Sequence, residues 1–282
     1  MRRTIAVCIC TMNRPEDLDR CLTSVMASDR RADQVIVSDD SDAERAPLTR
    51  QVAGRHPGVV YLEGPRRGLS ANRNNCLDRV TADLVSFLDD DSTIDPDFLG
   101  RAVATWERHA EGSPRVIVTG QATDPSGPLV PSHLNFLGFY GAKVRDGEAP
   151  SAVCIGSAVL PMTLFGAIRF DEKITFGTEE RDISLHATHV GYRIVYCPEI
   201  VTHQHPSQVN REIYRRDEVT NRVYFGLKRY TVYDRSALKF AAFNVLVLAN
   251  AVGHQLKKLQ VGEAARAVGC WLKAWRLFLS RT

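Results

Sequence analysis

Three consecutive aspartates, Asp89-Asp90-Asp91, follow the apolar run Leu84-Val85-Ser86-Phe87-Leu88. Adjacent carboxylates repel one another and raise each other's pKa unless water or a cation compensates. One or two such carboxylates, completed by the phosphate oxygens of a substrate, are the usual holders of Mg2+ or Mn2+. The same acids would equally make a solvated loop, because Asp95-Pro96-Asp97 just after them is a good helix start. A second acidic cluster, Glu179-Glu180-Arg181-Asp182, follows Phe176-Gly177-Thr178. One of its carboxylates could act as general base on a hydroxyl while a second orients it. The competing reading is pairing with a helix N-terminal dipole, worth about 0.3–1 kcal/mol per acid. His203 and His205 alternate around Gln204, so an extended segment puts both on one side, as a source of a metal ligand or as structural side chains. Arg66, Arg67 and Arg73 are the local basic set; Arg66 and Arg67 precede a helix start, which suits phosphate as well as plain surface solvation.

The elements that must position these groups alternate short apolar runs with amphipathic stretches, the pattern of an α/β sheet. Strands are expected at Thr4 to Cys10, Gln34 to Ser38, Val59 to Leu62 and Leu84 to Leu88. Helices are expected from Pro15 to Met26, with Leu18, Cys21, Leu22 and Val25 at helical spacing, and from Leu69 to Val80. Right-handed crossovers place the carboxyl ends of such strands along one sheet edge, where ligands bind. Asp39 and the Asp89 to Asp91 triplet stand at two of those ends. From Arg115 the pattern loosens, with a strand expected near Ala152 to Leu160, a helix from Arg181 to Val190 and a strand from Arg193 to Cys197 that extends beyond Pro198. After about Asn210 the chain reads as helices, giving a catalytic domain over 1–210, in halves of about 1–115 and 116–210, and a helical segment over 211–282.

Composition bounds the class. A 282-residue chain that is 44% hydrophobic and 24% charged has material for a real core and is not a disordered protein. A formal net charge of +3 gives no basic field for bulk nucleic acid, and no nucleic-acid partner is expected. The seven cysteines are scattered with no CxxC pair, which fits buried thiols in a reducing compartment. The apolar stretch after Met1-Arg2-Arg3 is too short for a signal peptide, so a cytoplasmic protein is expected. The run Phe240 to Gly253 is short of the roughly 20 residues needed to span a bilayer. With Lys257, Lys258, Arg266, Lys273, Arg276 and Arg281 beside Trp271, Trp275, Leu277 and Phe278, it suits either peripheral contact with the inner face of a membrane or packing onto the catalytic domain or a homodimer partner.

Five segments in this order resemble the GT-A fold glycosyltransferases of family 2, which are inverting and nucleotide-sugar-dependent. They are Val7 to Pro15, Val35 to Ser41, Gly68 to Asn74, Phe87 to Asp91, and the Glu-Glu segment followed by Gly191-Tyr192; the resemblance covers about residues 4 to 206. It implies an α/β, Rossmann-like, mostly parallel sheet flanked by helices, with the C-terminal helices as an extension. It also implies that Thr11, Asn13 and Arg14 line a nucleotide pocket, that Asp39 contacts the base, and that Arg73 lies near the base or phosphates. Asp89 and Asp91 match the family's Asp-x-Asp motif, the first towards ribose and the second towards Mg2+ or Mn2+, with Asp90 counted in the nucleotide set. His203 or His205 matches a late histidine that completes the metal shell. The family's Glu-Asp pair, whose second acid is the base, falls on Glu179 and Glu180; here the second acid is also Glu, so Glu180 is taken as base and Glu179 as the fallback. The implied partners are a nucleoside-diphosphate sugar, UDP- or dTDP- before GDP-, and an unidentified acceptor hydroxyl. A sugar-phosphate nucleotidyltransferase and a catalytically silent nucleotide-sugar-binding scaffold are the alternatives. A Gly-rich loop directly after strand one would favour the former, and Thr11-Met12-Asn13-Arg14-Pro15 is not one. A dinucleotide-binding oxidoreductase is disfavoured because no GxGxxG occupies the first strand-to-helix turn.

Overall fold

The computed structural model describes residues 2–145, 148–206, 209, 211–257 and 261–280, with side chains for all of these except 211–216, 251–257 and 261–264. Lys258, Arg281, the Lys257 side chain and the boundary residue Asn210 therefore lie outside the described set.

The chain runs β1 (Ile5–Thr11), α1 (Pro15–Met26), β2 (Gln34–Asp39), α2 (Ala46–Arg55), β3 (Val59–Glu63), α3 (Leu69–Leu77), β4 (Leu84–Asp89), β5 (Ser92–Ile94), α4 (Phe98–Ala110) and β6 (Val116–Asp124). It continues through β7 (Gly127–Leu129), β8 (Ser132–Leu134), β9 (Tyr140–Lys143), β10 (Ala158–Pro161), α5 (Met162–Phe165), α6 (Glu179–His189) and β11 (Arg193–Gln204). Helices α7 (Arg211–Lys228), α8 (Ala237–Lys257) and α9 (Val261–Leu279) close it. The main sheet has the order β3-β2-β1-β4-β10-β6-β11-β5, with β7 against β6. β3, β2, β1 and β4 are mutually parallel, while β10 runs antiparallel to both β4 and β6, so the sheet is mixed beyond β4.

All seven residues of β1 are buried, which fits a central parallel strand covered on both faces. One face packs Leu18, Cys21, Leu22 and Val25 of α1 with Phe98, Leu99 and Trp106 of α4. The other packs Cys76 and Leu77 of α3 with Phe87, Phe165, Phe170 and Ile183. The strand register then fixes the site: Cys10 is paired with Asp89 and Thr11 with Asp39, so three strand ends finish level on one edge.

Several elements differ from the sequence expectation for visible reasons. The strand expected over Ala152 to Leu160 pairs only from Ala158, because Ile155–Ser157 winds into a single 3-10 turn that buries Ile155 without ladder bonds. Helix α3 stops at Leu77, where the amide of Asp78 closes on the carbonyl of Asn74, three residues short of Val80. As expected, β11 does continue past Pro198. This proline sits where the register with β6 shifts between Tyr196 and Val201, a bulge that tolerates a missing N–H. Helix α6 begins at Glu179 rather than Arg181, which puts both glutamates in its first turn. Helix α2 and the short strands β5, β7, β8 and β9 carry no pattern strong enough to be read from sequence.

Candidate active site

A cavity of about 700 Å³ opens at the carboxyl ends of β1 and β4 and is walled by the starts of α3 and α6. Asp89, the last residue of β4, and Asp91 both line it. Asp90 points the other way, as strand alternation requires, and is fully buried. Its carboxylate accepts the Thr11 hydroxyl at 2.7 Å and meets Arg14 Nη2 at 2.7 Å, while Arg14 Nη1 reaches Asp91 at 3.1 Å. Burial pushes the Asp90 carboxyl up to about 7 in spite of the Arg14 charge. The middle aspartate thus ties the β1–α1 loop to the end of β4 and leaves its two neighbours facing the cavity.

Arg73 connects this aspartate motif to the second acidic cluster. It is 2% exposed, reaches Asp89 at 3.3 Å with one guanidinium nitrogen and Glu179 at 3.0 Å with the other, and lies over the rings of Phe87 and Phe170. Burial opposes its charge, but Glu179 and Asp89 outweigh that cost and hold it charged. The backbone places it by a close approach: the Leu69 amide donates to the Thr175 carbonyl at 2.8 Å, and the Ser70 hydroxyl to Ile174 at 2.6 Å. Gly68, with φ of 98°, has no room for a side chain, since a Cβ there would lie 2.8 Å from the Thr175 backbone.

Glu179 and Glu180 have different surroundings. Glu179 is 6% exposed and committed through Oε1 to Arg73. Glu180 lines the cavity and accepts the phenol hydrogen of Tyr140, which reaches in from β9 with its ring 4.2 Å from the Arg181 guanidinium. Burial raises the Glu180 pKa, and the charge of Glu179 raises it further. A cavity-facing carboxylate with a raised pKa has the character of a general base.

The remaining sequence candidates fall into two groups. Thr11 and Arg14 line the cavity beside Asp40 and Arg66, whose amide donates to Asp40 at 2.8 Å. Asp39 and Asn13 stand behind that wall. Asp39 is 2% exposed and accepts the Ser41 amide and the Tyr61 hydroxyl, each at 2.8 Å; Asn13 accepts the Asp42 amide at 3.0 Å. The structure does not bring His203 and His205 to the cavity. His203 sits between Thr123 at 2.9 Å and Asp95 at 3.2 Å, and His205 meets Thr93 at 3.0 Å, while Gln204 between them lines the wall. Sequence reasoning did not single out Asp40, Tyr140, Gln204, Asp217 or Glu218. Asp40 follows Asp39 and could have been found by strand alternation. Asp217 and Glu218 come from α7, and no local pattern announces that they line this cavity.

Among the described residues no three His, Cys, Asp or Glu side chains form a ready metal cluster. Of the carboxylates on the wall, Asp89 and Asp91 are the pair that the aspartate motif turns into the cavity, where Arg73 and Arg14 hold them. That fits a hard divalent cation that takes its other ligands from substrate phosphates and water, as Mg2+ and Mn2+ do.

Comparison with known proteins decides the class. Residues 6–159 match the family described as Glycosyl transferase family 2. The succinoglycan biosynthesis protein ExoM of Rhizobium meliloti (strain 1021) is 30% identical over 222 residues, 73% of this chain and 68% of that protein. The chain belongs to glycosyl transferase family 2. It is therefore a glycosyltransferase, which sets aside the nucleotidyltransferase alternative. Among solved structures it is similar to S. aureus TarS 1-349 in complex with UDP-GlcNAc (TM-score 0.65, 16% identity, 97% of this chain and 82% of that one). It is also similar to GalNAc-T7 with UDP, GalNAc and Mn2+ (TM-score 0.66, 14% identity, 82% of this chain), of which it spans about half, 49%. The mannosyltransferase PcManGT from Pyrobaculum calidifontis, in complex with GDP-Man and Mn2+, gives a TM-score of 0.59 at 17% identity over 99% of this chain and 88% of that one. The fold of this family 2 enzyme is the GT-A fold.

Proposed function

We propose that this enzyme transfers a sugar from a nucleoside-diphosphate sugar to an acceptor hydroxyl by direct displacement with inversion at the anomeric carbon. The observation that carries the proposal is the cavity itself: Asp89 and Asp91 on one wall, Glu180 on another, and buried Arg73 spanning the interval from Asp89 to Glu179. Relatives of the same fold are described with UDP-GlcNAc, UDP and GDP-Man, which supports a nucleotide-sugar donor. The family resemblance in the sequence favours a uridine or thymidine nucleotide over a guanosine one, while the structural neighbours include both uridine and guanosine donors.

In this mechanism Glu180 takes the proton of the acceptor hydroxyl as its oxygen attacks the anomeric carbon. The bond to the diphosphate breaks on the opposite face. Asp89 and Asp91 would hold Mg2+ or Mn2+, which when bound supplies Lewis-acid stabilisation of the negative charge on the departing diphosphate. Arg14 and Arg66 add fixed positive charge to the same wall. Glu179, engaged with Arg73, keeps the first turn of α6 in place and serves Glu180 as the neighbour that raises its proton affinity. Asp39, Asn13 and Asp90 support the nucleotide wall from behind. His203 and His205 would need a rearrangement of the Gln204 strand end to reach the metal, so we assign them no first role. All seven cysteines are free, in keeping with a cytoplasmic site of action.

Substitution separates the two glutamates. Glu180→Gln should keep nucleotide binding and lower turnover by roughly 10²–10⁴-fold, the usual contribution of general base catalysis. NMR of the product should show an inverted anomeric configuration. A Glu180→Gln enzyme as active as the unchanged one, or a product of retained configuration, would contradict the proposal.

A further inference from the structure

Helix α8 is apolar on two opposite faces. Phe243 and Val247 are buried against Tyr230 and against Ala274 of α9. Leu238 is 82% exposed, Val245 68% and Leu246 50%, and with exposed Ala241 and Ala249 they recur at helical spacing on the side away from that cluster. On α9, exposed Val268, Leu272 and Leu279 extend the apolar character. A helix with apolar side chains on two opposite faces ordinarily has something covering both.

Charge identifies the cover. Residues 235–282 contain eight Lys and Arg and one acid, Glu263, a formal +7 in a chain whose total is +3, so residues 1–234 carry −4. Lys239, Lys273 and Arg276 are exposed on α8 and α9, Lys239 pairing with Asp234 at 3.2 Å and Lys273 with Asp217 at 2.7 Å. A second copy laid on this face would bring two surfaces of the same sign together. An anionic lipid surface would meet both features: headgroups opposite the basic side chains and acyl chains over Leu238, Val245 and Leu246. No helix among the described residues is long and apolar enough to cross a membrane, which leaves an interfacial position for α8.

We propose that the exposed face of α8, with the adjoining face of α9, docks the enzyme in the interface of an anionic bilayer. This surface is separate from the cavity, and its test does not depend on the transferase proposal. The full chain is incubated with vesicles of phosphatidylcholine alone or mixed equally with phosphatidylglycerol, and sedimented at low and high salt. The enzyme should bind the mixed vesicles at low salt, bind them more weakly as salt rises, and largely ignore pure phosphatidylcholine. The doubly substituted Leu238→Glu, Val245→Glu chain changes only exposed positions and should lose affinity by roughly tenfold or more. Circular dichroism verifies that it is folded. Failure of the folded parent to bind the mixed vesicles, or unchanged binding of the double variant, would overturn the proposal. So would a parent that sediments as a dimer which the double variant dissolves, since the face is then covered by a second copy.

Discussion

Glu180 is set apart from Glu179 by what each touches, and the difference makes a pH prediction. The Tyr140 phenol donates to Glu180 and so lowers its proton affinity against the opposing effects of burial and of Glu179. A base works only when deprotonated, so turnover falls as pH drops through its pKa. Tyr140→Phe removes the stabilising donor and should move the acidic limb of the turnover profile to higher pH. A limb that stays in place or moves down would show that Tyr140 does not act on the base. At this scale the sequence was informative where residue type alone specifies chemistry. The Asp89 to Asp91 and Glu179-Glu180 clusters were found because clustered acids demand a reason. What could not be read was orientation. Asp90 and Asp39 are of the same type as their cavity-facing neighbours, and only backbone direction turns them away from the wall. Alternation around Gln204 relates His203 to His205 in the sequence, but which side of β11 faces the cavity depends on how that strand pairs with β5.

The elements explain why those residues stay where they are. Helix α6 carries the glutamates in its first turn, and its next residues are anchored from the C-terminal helices. Lys228 of α7 reaches Asp182 and Asp171 at 2.8 Å each, and the Tyr233 and Tyr224 hydroxyls donate to the same two carboxylates at 2.8 Å. Burial works against the Lys228 charge, but Asp182 and Asp171 together hold it protonated. Lys228→Met would leave two largely buried carboxylates without their cation, and should lower stability by roughly 3–5 kcal/mol in urea unfolding. An unchanged or raised unfolding midpoint would show that the network is not what secures α6. The strands of the first half were legible because parallel central strands read as continuous apolar runs. This network was not, because its members are far apart in sequence and each is an ordinary polar residue until the fold assembles them.

At the scale of the molecule, the first part of the chain builds the parallel sheet edge at which the cavity opens, and the C-terminal helices close the far side of the same cavity with Asp217 and Glu218. The positive charge of the chain is gathered in those helices, and the remainder, cavity included, is acidic. Seven carboxylates line the cavity against three arginines, an excess that opposes a polyanionic diphosphate, so donor binding should depend on divalent metal through Asp89 and Asp91. The direct measurement is calorimetric titration of UDP, dTDP and GDP into the enzyme with and without Mn2+, repeated on Asp91→Ala. Binding of one nucleotide in the presence of Mn2+, lost without the metal and lost in Asp91→Ala, is the predicted result. A folded enzyme that binds none of the three, or binds one equally well without metal and after the Asp91 substitution, would contradict it.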